Sequence, residues 1–201
     1  KKCCINVKND DNECFRWAIL SCLFPAESHT DRLSNYRKYR DEVNLEGIEF
    51  PVKIDSIDNV EQLNPCLKIN VYYLIKNNGN TYEVAPFRTS KKQEGTDIDL
   101  LLIYDKDYYE VKDDNEKEEE EEEEKEEEEE GEIKVNIQEE KSSSVNSHYV
   151  WIKNLEGLVR NQLTKHKEKL YICRRCFYHT HNVNTYINHV ESQYCSKYDE
   201  G

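Results

Sequence analysis

The spacing of apolar residues predicts helices in the first third of the chain. Apolar positions recur every three to four residues over 14–23, polar residues at 10–12 can cap this helix, and Pro25 ends it. The same spacing predicts a second helix over 31–43 and a short one over 59–63.

From residue 67 onward the apolar period changes to two. Alternation or short apolar runs predict strands at 67–73, 81–84, 98–104 and 148–152, with a turn at 77–80 between the first two. Helices followed by strands indicate an α+β fold with an antiparallel sheet.

Composition divides the chain into three regions. Residues 1–111 and 146–160 have ordinary globular content and are predicted to form one α+β domain. Residues 112–145 are Glu-rich and then Ser-rich, so they are predicted to be a disordered acidic insertion between two adjacent strands. Such an insertion is tolerated because loop-closure entropy rises slowly with length. Residues 165–198 are predicted to form a zinc finger.

The net charge of −14 is concentrated in one tract. Residues 112–141 hold 18 acidic and 5 basic residues, whereas residues 151–197 hold 8 basic and 3 acidic ones. The low isoelectric point therefore does not exclude nucleic acid as a partner. The acidic tract itself has two interpretations: a solvated low-complexity expansion, or an electrostatic lid over the basic finger.

Other features of the sequence bear on the origin of the chain and on its cellular compartment. The chain begins at Lys1 and contains no methionine, so we interpret it as a fragment of a longer polypeptide. With no signal peptide and no apolar run of membrane-spanning length, we expect an intracellular, nuclear protein without membrane contact. Its eight cysteines are then expected to be reduced.

Four residues near the carboxyl end have the spacing C-x2-C-x12-H-x5-C, which is typical of a structural zinc site. The predicted ligands of one zinc ion are Cys173, Cys176, His189 and Cys195. His179 and His181 are alternatives to His189. Because Thr180 occupies the place where an aromatic residue is usual, Phe177 or Tyr178 must fill that space.

The basic residues of the finger suggest a partner. The side chains that can contact phosphate groups are Lys165, Lys167, Lys169, Arg174 and Arg175. DNA, a replication protein, or no partner at all fits this pattern, since a lone finger reads only about three base pairs.

A second chemical pattern joins a cysteine and a histidine. Cys14 begins the first predicted helix, where free backbone amides and the helix dipole would lower its pKa, and His148 begins a predicted strand. This is the layout of papain-like cysteine hydrolases, in which the helix amides also form an oxyanion hole.

The spacing Asp11-x-x-Cys14 and the pair His148-Tyr149, which follows the strand at 98–103, resemble the OTU family of cysteine proteases. The resemblance implies cleavage of ubiquitin-type linkages, with a ubiquitin-like protein as partner. It also implies a papain/OTU-like fold, with Cys14 as nucleophile, His148 as general base, and amides near Asp11 and Cys14 as oxyanion donors.

The chain departs from the OTU pattern at two positions. Val150 stands where that family has the polar residue that orients the histidine, and Asn12 stands where it has glycine. Asn154 or Asp11 could orient His148 instead. The alternative interpretation is a buried cysteine and an edge-strand histidine in an inactive scaffold.

Short motifs in a fixed order run through the chain outside the acidic tract. They are Asp11 with Cys14-Phe15-x-Trp17-x-Ile19-Leu20, Leu33-Ser34-Asn35-Tyr36, Gly47-Ile48-x-Phe50, Ile98-Asp99-Leu100, His148-Tyr149-x-x-Ile152-Lys153-x-Leu155 and Cys173-Arg174-Arg175-Cys176. This series resembles the region that precedes the protein-primed family-B DNA polymerase in Polinton (Maverick) transposon proteins. The resemblance implies association with transposon DNA replication. The chain itself contains no exonuclease or polymerase motif, so polymerisation would need sequence beyond it.

Three functions are therefore open. The leading one is a zinc-binding accessory module of a transposon-encoded replication protein. The second is a cysteine protease that uses Cys14 and His148, with Asp11 nearby. The third is an inactive, transposon-derived scaffold.

Overall fold

The computed structural model of the chain describes residues 2–77, 81–104, 147–192 and 195. The acidic insertion expected at 112–145 and most of the turn expected at 77–80 lie outside the described residues. Among the described residues, no helix is both long enough and apolar enough to cross a bilayer.

The order of elements follows the predicted change from helices to strands. The α-helices are α1 (Cys14–Leu23), α2 (Ile57–Leu63), α3 (Leu155–Leu163) and α4 (Val183–Glu191). The strands are β1 (Cys4–Ile5), β2 (Leu67–Lys76), β3 (Tyr82–Arg88), β4 (Thr96–Tyr104), β5 (Ser147–Ile152), β6 (Tyr171–Ile172) and β7 (His179–Thr180). The helices predicted at 14–23 and 59–63 and the four predicted strands are confirmed, with ends that differ by a few residues.

The helix predicted over 31–43 is wrong in type. This segment forms two 3₁₀-helices, Leu33–Asn35 and Arg37–Glu42. The backbone shows the difference: the amides of Tyr36 and Tyr39 donate three residues back, to the carbonyls of Leu33 and Tyr36, which is the 3₁₀ pattern. Arg16 of α1 donates to the carbonyls of Arg40 and Val43 at 2.9 and 3.2 Å and so fixes the end of this segment against α1.

The main sheet has five strands in the order β1-β5-β4-β2-β3 and is mixed, so the expectation of an antiparallel sheet is wrong. β2 and β3 form an antiparallel hairpin, and β4 then joins the other side of β2 in parallel. Before β4 the chain passes close to the start of β2. At this point Gly95 has φ +128°, and a Cβ atom on residue 95 would lie 2.8 Å from the carbonyl oxygen of Cys66. Only glycine fits this crossing.

β4 and β5, which flank the acidic tract in sequence, are antiparallel neighbours, as the sequence predicts. Leu102 pairs with Tyr149, and Tyr104 pairs with Ser147 at the end nearest the tract. The insertion therefore connects adjacent strand ends.

Both faces of the sheet are covered. On one face α1 packs against β5, where Phe15 meets Tyr149 edge-to-face with ring centroids 5.0 Å apart. Alternate residues of β5 point to the opposite face. There Val150 and Ile152 form a second buried cluster, and its other buried members are Tyr72, Val84, Leu101, Leu155, Val159, Leu170 and Ile172. Two residues of the predicted finger, Leu170 and Ile172, thus belong to the same core as the sheet.

Candidate metal centre and cysteine–histidine site

The four predicted zinc ligands come together in space. Cys173 and Cys176 lie in the turn between β6 and β7, His189 lies in the last turn of α4, and Cys195 follows that helix. Their ligating atoms all lie within 4.8 Å of one another. These residues could hold one metal ion.

The separations between donor atoms fit a single small ion. The sulfurs of Cys173 and Cys195 are 3.3 Å apart, and the sulfur of Cys176 lies 3.2 Å from Nε2 of His189. A tetrahedral zinc ion with ordinary bond lengths separates such pairs by roughly 3.5–3.8 Å. An outward shift of a few tenths of an ångström would accommodate it.

The cysteine donors would bind a metal ion as thiolates. Burial and the neighbouring sulfur of Cys173 raise the pKa of Cys195 to about 12, and burial raises the pKa of Cys176. The thiols would therefore stay protonated at neutral pH if nothing positive lay between them. A metal ion removes this penalty, because thiolate is the form that binds metal.

Local structure holds the paired cysteines in position. The amide of Cys173 donates to the carbonyl of Tyr178 at 2.9 Å, and the amide of Phe177 donates to the carbonyl of Cys173 at 3.0 Å. Phe177 takes a left-handed conformation, with φ +56°, to close this turn. On the other side, the Asn182 side chain caps α4 by accepting from the amides of Asn184 and Thr185, and so fixes the helix that carries His189.

The histidine alternatives are resolved in favour of His189. Nδ1 of His181 lies 2.9 Å from the carbonyl of Lys169, and Nδ1 of His179 lies 3.3 Å from that of Phe177, so both rings are engaged elsewhere. The aromatic positions divide their roles. Tyr178 stacks on His189 at 4.2 Å between ring centroids, whereas Phe177 stacks on Tyr72 of the sheet at 5.5 Å.

One residue between the paired cysteines reaches into the sheet. Nε of Arg174 donates to both carboxylate oxygens of Asp99 at 3.1 Å, and Asp97 lies 3.7 Å from the same guanidinium. Asp99 is only 6% exposed and also accepts from Nδ2 of Asn70 at 3.0 Å. Burial raises the pKa of Asp99, and the Arg174 charge opposes that shift. The sequence does not reveal this pair, because nothing in it indicates which residue will pair with a charged side chain in an apolar strand.

Cys14 is the first residue of α1 and is buried. Burial raises the pKa of its thiol, and hydrogen bonding from the backbone N–H groups of Tyr149 and Phe15 only partly opposes this. The expected lowering of the pKa by the helix start is therefore wrong in its net direction. Cys14 packs with Tyr149 in the buried cluster on the α1 face of the sheet, whereas His148 alternates with Tyr149 along β5 and so lies on the side of Val150.

The partner of His148 is a residue that the sequence did not suggest. Nε2 of His148 lies 2.8 Å from Oδ1 of Asn6. Asn6 directly follows β1, which pairs with β5 in an antiparallel register. Asn154, proposed as an orienter, instead caps α3 by accepting from the amide of Gly157 at 2.9 Å. The alternation of apolar residues around Asn6 could have indicated a strand there, but a strand of two residues is too short to be predicted from periodicity.

Asp11 stabilises the start of α1 by hydrogen bonding. Its carboxylate accepts from the amide of Glu13 at 2.9 Å and from the indole of Trp17 at 3.0 Å. Burial alone would raise the pKa of Asp11, but these hydrogen bonds, together with one from Asn9, hold it below its ordinary value. The described bonds of Asp11 orient the helix, and none of them reaches His148.

Comparisons with protein-family models, with curated proteins and with solved structures gave no match to this chain.

Proposed function

We propose that the chain is a zinc-bearing accessory module of a larger, transposon-encoded DNA replication protein, in which the metal fixes the finger against the sheet. The observation that carries the metal part is the convergence of Cys173, Cys176, His189 and Cys195 within 4.8 Å. Three sulfurs and one imidazole are a donor set that suits zinc. The replication part rests on the motif series described above.

The role of the metal is structural rather than catalytic. Four protein donors fill a tetrahedral shell and leave no position for water or substrate. What the metal stabilises is the turn that carries Arg174, and through it the ion pair with buried Asp99. Loss of the metal would release Arg174 and leave a carboxylate inside the sheet, so we expect finger and sheet to unfold together.

The function of the finger within the larger protein is contact with nucleic acid or with a replication protein. The outward face of α4 does not favour base reading, because the helix contains no lysine or arginine and exposes Val183, Ile187 and Val190 by 42–47%. A helix that reads bases in the major groove relies on polar and basic side chains at its start.

The test of this proposal compares two cysteine variants of the chain. Cys176→Ser should lose zinc and, with it, much of the cooperative unfolding of the sheet. The control is Cys66→Ser, because Cys66 is exposed and lies outside the donor cluster. Zinc content by native mass spectrometry and urea unfolding followed by tryptophan fluorescence give the two readouts. Equal unfolding of both variants would show that the metal has no structural role.

A second candidate is a cysteine hydrolase that acts on ubiquitin-type linkages. The observations in its favour are that Cys14 stands at the start of α1 and that Nε2 of His148 is held by Oδ1 of Asn6 at 2.8 Å. That chemistry requires the His148 ring to turn toward Cys14, where it would take the thiol proton as the Cys14 sulfur attacks the carbonyl carbon. Backbone amides at the helix start hold the oxyanion, and the protonated His148 returns the proton to the leaving amine. Water then hydrolyses the thioester, which releases the carboxylic acid and restores the Cys14 thiol.

An electrophilic ubiquitin-type probe decides between this hydrolase and an inactive scaffold. A working site labels Cys14 and loses labelling in Cys14→Ser but keeps it in Cys66→Ser. Replacing Asn6 with Ala should slow labelling and shift its pH dependence, since His148 loses the hydrogen bond to Asn6. If Cys14 is not labelled in the folded, zinc-loaded chain, the hydrolase proposal is wrong and the scaffold interpretation stands.

A further inference from the structure

The segment between α3 and β6 concentrates positive charge at the surface. It contains three lysines and one histidine in five residues, with Glu168 as the single acid. All five residues, 165–169, are exposed. Within the described part of the chain, none of the three lysines forms an ion pair, and Lys169 lies over the Tyr171 ring at 4.8 Å. We call this segment together with His181 the basic loop surface.

The backbone of this segment is held from the side of α3. Nη1 of Arg160 donates to the carbonyls of His166 and Glu168 at 2.8 and 2.9 Å, and its guanidinium is paired with Glu156. The amide of His166 also donates to the hydroxyl of Thr164 at 3.1 Å. The segment is therefore fixed although it has no regular secondary structure.

The metal-held hairpin holds the segment from the other side. His181 follows β7, and its Nδ1 lies 2.9 Å from the carbonyl of Lys169, a contact in which the ring nitrogen donates. The His166 ring meets the His181 ring edge-to-face at 5.6 Å between centroids. A surface that is already ordered loses little conformational entropy when it binds a ligand.

Two arginines near the described finger are engaged within the protein. Arg174 is bonded to Asp99, and Arg160 is bonded to Glu156 and to two carbonyls. Lys165, Lys167 and Lys169, in contrast, are exposed and lie together on one segment, so their charge can meet a ligand.

We infer that the basic loop surface binds the phosphate backbone of nucleic acid, without reading sequence. Lysines spaced along an ordered loop, beside the aromatic ring of Tyr171, suit a chain of phosphates. This inference deepens the proposed function and rests on it, because the zinc-held hairpin supplies His181.

Three phosphate contacts set the expected salt dependence. For duplex DNA the slope of log K against log salt is about −0.9 per contact, or about −2.7 in total. Raising salt from about 50 to 200 mM should then weaken binding about 40-fold.

The experiment measures binding of the full, zinc-loaded chain to a labelled DNA duplex by fluorescence anisotropy across that salt range. The test variant carries Lys165→Gln, Lys167→Gln and Lys169→Gln. We expect at least tenfold weaker binding and a slope near zero. The matched control removes the same charge at exposed lysines elsewhere, as Lys2→Gln, Lys53→Gln and Lys91→Gln, and should change binding by less than twofold.

The outcomes separate the inference from the proposed function. If the test variant carries zinc and binds DNA as tightly as the parent chain, or if the control loses as much, the inference is wrong while the metal proposal stands. Equal competition by poly-glutamate would also overturn it, because the surface would then accept any polyanion. A parent chain without stoichiometric zinc overturns the proposed function and the inference together.

Discussion

Replacing Arg174 with Ala tests the connection between the metal turn and the sheet. The substitution leaves the zinc ligands in place but removes both 3.1 Å bonds to Asp99, whose side chain is 8% exposed. Removing one partner of a fully buried ion pair destabilises by about 3–5 kcal/mol. Because the Arg174 side chain is 39% exposed, water screens part of the interaction, so we expect a loss of about 2–3 kcal/mol.

The assay is urea unfolding of the zinc-loaded chain, with zinc content checked by native mass spectrometry. The control is Arg37→Ala, an exposed arginine on a 3₁₀-helix, which should change stability by less than about 0.5 kcal/mol. Adding Asp99→Asn to Arg174→Ala should recover much of the loss, because the double variant no longer buries an unpaired carboxylate. If Arg174→Ala matches the control with zinc still bound, the ion pair does not couple the metal turn to the sheet.

Three further predictions concern single residues. His189→Ala should abolish stoichiometric zinc binding while His181→Ala retains it, as measured by native mass spectrometry; the reverse result would reassign the fourth ligand. Gly95→Ala should lower the free energy of unfolding by about 1–3 kcal/mol, because it forces a side chain into a left-handed backbone against the Cys66 carbonyl; an unchanged urea midpoint would refute this. The pKa of Asp11 is lower in the folded state, so its stabilisation is present above the unfolded pKa near 3.9 and is lost as pH falls through the folded value. Asp11→Asn should therefore make stability fall less between about pH 4 and 2 than in the parent chain, whereas identical pH profiles would contradict the structural role of Asp11.

Local signals in the sequence were sufficient for most elements and for the metal ligands. The helix at 14–23, the β4–β5 adjacency and the four donors were each marked by periodicity or by spacing within a short window. Zinc ligands are especially readable because a knuckle and a helix place them at fixed intervals.

Features that depend on distant contacts were not readable. The parallel pairing of β2 and β4 follows from a chain crossing at Gly95, and the segment 33–42 is held against α1 by Arg16 hydrogen bonds that span more than twenty residues. Asn6 as the partner of His148 depends on a strand of two residues, and the Arg174–Asp99 pair spans 75 positions. Tertiary context decides each of these cases, and propensity or period carries no information about it.

Zinc K-edge X-ray absorption on the full chain tests the central claim most directly. We expect one zinc per chain with a first shell of three sulfurs at about 2.3 Å and one nitrogen at about 2.0 Å. A shell that is mainly nitrogen and oxygen, or a chain that does not retain zinc, would contradict the account of Cys173, Cys176, His189 and Cys195 as a single structural metal site.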